Sequence, residues 1–538
     1  MHLVVLAGIL IVASFPPWNF RGLIFIALIP WLYRLRTTTT WRRAAIWGLF
    51  LSMAMSLLGF YWVAYVLHEF GGLPWAIAGL GLLIFSTFGQ PQFTIFAPIY
   101  FVLSKKRAAA RGSERCVWSL AIALLYAGID WSIPKLFHDT LGHSQYSAPW
   151  LRQSADLFGA HGLTFLIFWI NDSLLDLIFT LRQRKEPSFW PSIGLTGPSV
   201  LLSLLALGAT ATYGKTQEKA IQDLIAHAPQ KTRAAVIQAN IGDIDKLAAH
   251  RGLRAASEQV MDQYFSLSDR ALNARPQPDF LVWPETAYPS TFRTPMTPDD
   301  LARDEQVENF VNARRFPLLF GGYDRNRSKD FNTFFLLTPH NRAKADDSDL
   351  QIYHKNILLM FGEYVPFTEN NPLFQKYFPQ VANFGRGPGP DILTVPTPGG
   401  QNVRLSPVIC YEVLFPDYVL EAARRGSQFI MNITNDSWFG PYGEPELHLA
   451  LSTFRSIEAR IPQLRATNTG ISALILPDGS ISAQTQTFAQ EILSVEMPLI
   501  TPPWTLMKQL GDWFGYAALP CSMVLIGLMW RRRQLSKL

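Results

Sequence analysis

Three apolar runs in this chain end on residues that can do chemistry. "LVWPET" sets Glu285 just past one run, "IYHKN" sets Lys355 past a second, and "VRLSPVICYE" ends a third in Cys410, followed by Tyr411 and Glu412. Taken singly, each has an ordinary explanation: a loop acid, a solvated base, and a small core residue, since free Cys packs as a small hydrophobe. Together they supply a base, a cation and a nucleophile, the parts that acyl transfer requires. A thiol is a poor nucleophile until ionised, so Cys410 needs a neighbouring base. Glu285 serves if burial raises its pKa towards neutrality. The attacked carbonyl becomes an oxyanion, which a fixed Lys355 ammonium stabilises with help from a backbone N–H. No Cys–His pair is visible, because His354 adjoins the lysine rather than the thiol. Cys116 and Cys521 lie in distant segments, so no disulfide framework or metal motif is expected.

These residues need a scaffold, and from about 232 to 500 the sequence provides one. Short β-rich runs recur, among them "AAVIQAN", "PLLFGGYD", "NTFFLLT", "QFIMNITND" and "ISALILPDG". Helical patterns fall between them at 251–274, 299–314, 416–425 and 445–460. Strands alternating with helices predict a layered α/β domain, in which reactive side chains collect at strand ends.

The rest of the chain is of another kind. Of 538 residues, 49% are hydrophobic and only 16% charged, against about a quarter charged in soluble proteins. A span needs about 20 mostly apolar residues. Seven candidates precede residue 215, at 2–16, 20–34, 44–67, 74–103, 117–137, 160–181 and 194–213, and an eighth lies at 511–530. The opening segment lacks a basic start and a cleavage site, so it is read as a retained span. Arg34, Arg36, Arg42 and Arg43 lie between spans two and three, and Lys105, Lys106, Arg107, Arg111 and Arg115 between four and five. Arg182, Arg184 and Lys185 lie between six and seven, and Arg531, Arg532 and Arg533 follow span eight. Alternate loops are basic, which places both termini in the cytoplasm and the α/β segment outside it. The net charge of +6 thus argues topology rather than nucleic-acid binding. Asp172 and Asp176 within span six are expected to face the bundle interior and bond to neighbours. Residues 138–153 are expected at the outer interface.

Glu285, Lys355 and Cys410 resemble the Glu–Lys–Cys triad of the nitrilase superfamily, in the same order. "GGYD", "FNTFF", "FGEYVPF", "NITNDSWFG", "FRSIEARIPQLRATNTG" and "PDG" resemble its surrounding signature. With flanking spans, the whole chain is similar to the membrane branch of that superfamily, the apolipoprotein N-acyltransferases. The resemblance implies a multi-span α-helical membrane domain plus an α/β nitrilase-like αββα sandwich outside the cytoplasm. The expected boundaries are 1–214 for seven spans, 215–231 for a linker, 232–500 for the catalytic domain, and 501–538 for the last span and a basic tail. It implies Glu285 as general base, Lys355 as oxyanion stabiliser and Cys410 as nucleophile, with Glu363, Tyr411, Glu412 and Asn332 in support. It implies a bacterial inner-membrane enzyme that carries an acyl chain from a phospholipid, through a Cys thioester, to the α-amine of a diacylglyceryl-cysteine on an apolipoprotein. No cofactor, metal or nucleic acid is expected, and the protein is read as a monomer. Two departures, the absence of a Trp in "IQANIGDIDKLAAHRG" and the modest aromatic content of "LFHDTLGHSQY", bear on lipid preference rather than on the reaction. Two other readings are a membrane-tethered amidase or transferase with another acceptor, and a non-catalytic scaffold or transporter with a vestigial domain. Retention of the triad and Glu363 weighs against the last, as does the lack of the paired, interrupted helices that transport would predict.

Overall fold

The computed structural model describes residues 1–110, 112–182, 189–242, 254–326, 329–340, 347–360, 362–364, 384–397, 399–441 and 443–535. They form two compact units: Met1–Ala220 with Tyr442–Phe454 and Leu510–Leu538, and Ile221–Pro441 with Arg455–Gln509.

The first unit is helical. Its core is aromatic: Phe168 stacks on Tyr126 at 4.5 Å between centroids, and Phe96 meets both rings edge-on. A methyl group on Gly48 would stand 2.3 Å from the Phe93 carbonyl oxygen, so helices Trp41–Gly59 and Pro91–Ala108 approach as closely as glycine permits. Asp172 and Asp176 are buried and paired. Arg36 reaches Asp176 at 2.8 Å, Arg115 reaches it at 2.7 Å, Arg107 grips Asp172, and the Tyr100 hydroxyl donates to Asp172 at 2.7 Å. Burial of both carboxylates is tolerable because every charge has an opposite neighbour.

The expected spans are only partly regular. Three helical runs among the described residues are long and apolar enough to cross a membrane: Trp75–Ala108, Arg152–Arg182 and Trp513–Arg532. The expected 44–67 span is two helices, Trp41–Gly59 and Trp62–Glu69, bent by 64°; counted as one span, they make a fourth. His2–Ala13 has 12 residues, about 18 Å of helix against a hydrocarbon core of about 30 Å. The expected 20–34 span is broken into a 3-10 turn and two helices, Ile24–Ala27 and Ile29–Thr37. Helix Gly112–Ser132 is long, but charged residues such as Arg115 and Asp130 dilute its apolar run, and the expected 194–213 span lies within the long helix Phe189–Ala226. Leu141–Gln145, expected at an interface, is a buried 3-10 turn. The expected linker 215–231 is helix as far as Ala226, since "KTQEKAIQDLIA" is rich in good helix formers.

The second unit is layered. One sheet comprises β1 (Gln230–Gln238), β2 (Phe280–Val282), β3 (Leu318–Arg325), β4 (Asp330–Leu337), β5 (Leu350–His354) and the late strand β12 (Glu491–Leu499), in the order β12-β1-β2-β3-β4-β5. The other comprises β6 (Leu393–Pro396), β7 (Asn402–Ile409), β8 (Phe429–Thr434), β9 (Gln463–Thr467), β10 (Ala473–Ile475) and β11 (Ile481–Gln484), in reverse order from β11 to β6. Each has three parallel strands at its centre, β1-β2-β3 and β7-β8-β9, with antiparallel strands outside. The central strands β2 and β8 are buried at every position because both of their faces are covered. The sheets pack on each other, with Phe280 of β2 stacked on Phe429 of β8. The Gln238 Oε1 of β1 accepts from Ser472 and Thr485 of the other sheet side, each at 2.7 Å. Helices Arg254–Asn273 and Pro298–Arg314 cover the first sheet, placing Tyr264, Val307 and Val311 in one core with Trp283 and Phe320. The second of these helices starts where the sequence says it should, at a Thr297/Asp300 capping box with Pro298 in the first turn. Helix Pro416–Arg424 lies against β7, which completes an αββα arrangement.

Candidate active site

Strands β2, β5 and β7 each deliver one reactive residue at or just past their ends. Glu285 follows β2 on a turn in which Thr286 has φ of +53°. That turn lies directly on β3: a Cβ on Gly321 would stand 2.6 Å from the Glu285 Cα and 2.7 Å from the Thr286 nitrogen. Only glycine lets the strand and the turn come so close. Lys355 follows β5, its N–H donating to the Asn332 carbonyl at 2.9 Å and its carbonyl accepting from the Gly387 N–H at 2.9 Å. Cys410 follows β7 and opens a 3-10 turn, Cys410–Leu414, with φ of +50°. A non-glycine residue in that region is uncommon and is held there by its surroundings.

The structure brings the expected residues together. Lys355 is 1% exposed, Glu285 6% and Cys410 9%, so charges act here with little water between them. The Lys355 Nζ lies 2.8 Å from Glu363 Oε1 and 3.6 Å from Glu285 Oε1. The Asn332 Nδ2 donates to Glu285 Oε1 at 2.7 Å and to Glu363 Oε1 at 2.9 Å. The second Glu363 oxygen accepts from the Leu359 N–H at 2.7 Å. Glu412 does not join this cluster. It lies beneath it, accepting from the N–H groups of Asn356 (2.6 Å), Ile357 (3.1 Å) and Ile409 (2.8 Å) and from the Tyr353 hydroxyl (2.7 Å). One carboxylate thereby ties the loop after Lys355 to the strand before Cys410. Tyr411 is buried beside the nucleophile with its ring edge-on to Phe415. His354 is held elsewhere, 2.7 Å from Asp324 and stacked on Phe331. Phe361 and residues 365–367 of "FGEYVPF", and residues 243–252 of the Trp-lacking segment, lie outside the described residues.

The electrostatics follow from burial and sign. Burial pushes the Glu285 carboxyl up, the Glu363 charge adds to this, and Lys355 and Asn332 pull it back, with a net rise. Burial alone would push Lys355 down, but Glu363 and Glu285 outweigh it and keep it protonated. Burial and the Glu285 charge push the Cys410 thiol well up, opposed by Lys355. The resting pocket thus holds a protonated thiol, a carboxyl made more basic, and a firm ammonium.

Two further contributors were not singled out in the sequence. Tyr353, two residues before Lys355 on β5, bonds both Glu412 and the Tyr418 hydroxyl, the latter at 2.6 Å; its place in a period-2 strand was the available signal. The Asn435 N–H donates to the Glu285 carboxylate, and its Nδ2 reaches Thr286 Oγ1 at 3.3 Å. The polar run after the buried β8 was the signal there.

Comparison with known proteins identifies the family. Residues 7–172 match the family described as apolipoprotein N-acyltransferase N-terminal domain, and residues 233–501 match the carbon-nitrogen hydrolase family. An apolipoprotein N-acyltransferase of Bdellovibrio bacteriovorus is 33% identical over 499 residues, covering 89% of this chain and 84% of that protein. The chain belongs to the apolipoprotein N-acyltransferase family. An apolipoprotein N-acyltransferase of Geobacter metallireducens is 30% identical over 99% of this chain and 95% of its own length, and one of Chlorobaculum tepidum is 28% identical over 92% and 90%. As a member of this family the chain is an acyltransferase with a carbon-nitrogen hydrolase domain, and its apolar helices fit a transmembrane protein.

Proposed function

We propose that this enzyme moves an acyl chain from a membrane phospholipid to the free α-amine of the diacylglyceryl-cysteine that begins an apolipoprotein. The observation that carries the reading is the buried convergence of Glu285 and Lys355 on Cys410, at the ends of β2, β5 and β7. In the first step Glu285 takes the thiol proton as sulfur attacks the ester carbonyl. The oxyanion forms beside Lys355, whose charge the two carboxylates sustain. Collapse breaks the ester C–O bond, Glu285 returns the proton to the alkoxide, and a lysophospholipid leaves. The α-amine then attacks the thioester, Glu285 takes one amine proton, and the thiolate departs and is reprotonated. Glu363 and Asn332 hold the ammonium and the base, and Glu412 and Tyr411 hold the nucleophile's turn.

Both substrates live in lipid, which accounts for a hydrolase-like domain tied to apolar helices. The alternating basic loops support an inner-membrane location with both termini cytoplasmic and the catalytic domain outside. The acceptor is supported by the names of relatives that cover nearly the whole chain. Mass spectrometry of the full chain incubated with phospholipid tests the reading. A thioester-linked acyl group on Cys410 that hydroxylamine removes is expected; its absence from the wild type, or lysophospholipid release that persists in Cys410→Ala, overturns it.

A further inference from the structure

The side of Cys410 away from Glu285 has its own chemistry. In the parallel pairing of β7 with β8, Ile409 stands opposite Ile433, so the next residues, Cys410 and Thr434, are neighbours. The Thr434 side chain adjoins Cys410 and counters the rise of its thiol pKa, and its Oγ1 donates to Asp436 Oδ1 at 3.1 Å. Asp436 is in turn held by Arg465 of β9, Nη2 to Oδ2 at 2.7 Å, and Arg465 Nη1 donates to the Asn432 side-chain oxygen at 2.9 Å. Thr434, Asp436 and Arg465 have no exposed surface. No water can substitute for a partner in such a chain, so each link fixes the next.

We infer that Thr434 is a further residue serving the reaction: its hydroxyl holds the Cys410 sulfur at the end of β7 and donates to it whenever it carries charge, while the Asp436–Arg465 pair sets the hydroxyl's direction. A hydroxyl has one proton to give and here faces two acceptors. While sulfur is a thiol, that proton goes to Asp436, and the thiol proton stays available to Glu285. Once sulfur is a thiolate, before attack or as the group leaving the thioester, the hydroxyl turns to it. Asp436 keeps its bond from Arg465 meanwhile, so the turn leaves no buried charge unpaired. The next residue, Asn435, gives its backbone N–H to Glu285. Two successive residues, the last of β8 and the first after it, therefore address the nucleophile and the base.

The inference rests on the proposed role of Cys410, and its test is read on the sulfur directly. The full chain in detergent is treated with iodoacetamide across a pH series, and the Cys410 peptide is quantified separately from those of Cys116 and Cys521. Thr434→Val keeps the shape and removes the hydroxyl. Its Cys410 alkylation should fall about tenfold or more at neutral pH, the size expected for one hydrogen bond to a charged atom, and its profile should move to higher pH. Lysophospholipid release should fall in kcat with little change in KM. Thr434→Ser keeps the hydroxyl and should follow the wild-type profile; Thr434→Ala replaces the valine variant if that one fails to fold. An unchanged profile in the valine or alanine variant, or a serine variant as impaired as they are, overturns the inference. A wild type that alkylates normally yet never forms a thioester would instead remove the proposed function and leave the Thr434 comparison readable.

Discussion

The side-chain amide of Asn332 donates to two carboxylates at once, Glu285 at 2.7 Å and Glu363 at 2.9 Å. Like charges so close repel, and Lys355 lies against both. A single neutral donor from β4 thus helps decide how basic Glu285 is. Burial raises the Glu285 pKa and the Asn332 bond lowers it. Removing that bond raises it further, so a larger share of Glu285 is protonated at neutral pH and unable to act as base. Asn332→Leu should therefore lower acylation of Cys410 about tenfold at neutral pH, the worth of one hydrogen bond to a charge. The acid limb of the rate profile should shift to higher pH, with recovery on the alkaline side. A uniform loss at every pH would contradict this assignment.

Glu285→Gln and Lys355→Met should each leave a folded protein yet reduce Cys410 acylation by about a hundredfold or more, the cost of losing one oxyanion donor or its equivalent. Single-turnover release of lysophospholipid measures it. A wild-type rate in either variant would remove the role given to that residue.

Glu412 should behave differently, because its four donors hold two segments together. Glu412→Gln turns an amide NH2 towards backbone N–H groups and leaves at least one buried donor unpaired, costing about 2 kcal/mol or more. Thermal unfolding and limited proteolysis should show lower stability together with lost activity. Loss of activity at unchanged stability would move Glu412 into the reacting cluster.

Topology is open to direct measurement. Reporters fused after residue 110 or residue 535 should read as cytoplasmic, and one inserted near residue 340 as external. A cytoplasmic signal at 340 would reverse the orientation and remove access to an external lipoprotein.

Incubated with phospholipid alone, the enzyme should release about one lysophospholipid per chain and stall, as a covalent intermediate shielded from water does. A peptide bearing an N-terminal diacylglyceryl-cysteine should restart turnover, and acetylating its α-amine should stop it. Continuous release without acceptor would indicate a lipase.

Much of the scaffold was legible in the sequence, because hydrophobic period is a local property. The expected helices at 251–274, 299–314, 416–425 and 445–460 are found at Arg254–Asn273, Pro298–Arg314, Pro416–Arg424 and Glu444–Ala459. Glu285, Lys355 and Cys410 were legible for the same reason, as polar residues abruptly ending apolar runs. Asp172 and Asp176 were legible as acids needing partners, but not that Arg36, Arg107 and Arg115 would supply them. The apolar stretch 44–67 carries no local mark of the 64° bend between Gly59 and Trp62, since a sum over side chains is blind to a change of direction. In the site, the tertiary structure alone decided that Asn332 bridges Glu285 and Glu363, that Tyr353 and Glu412 tie the lysine's loop to the cysteine's strand, and that Thr434 stands beside the sulfur. Those relations depend on the register of β4 against β5 and β7 against β8, and on the stacking of the two sheets. Register is a relation between segments far apart in the chain, and a slip by one residue would turn every one of these side chains to the other face.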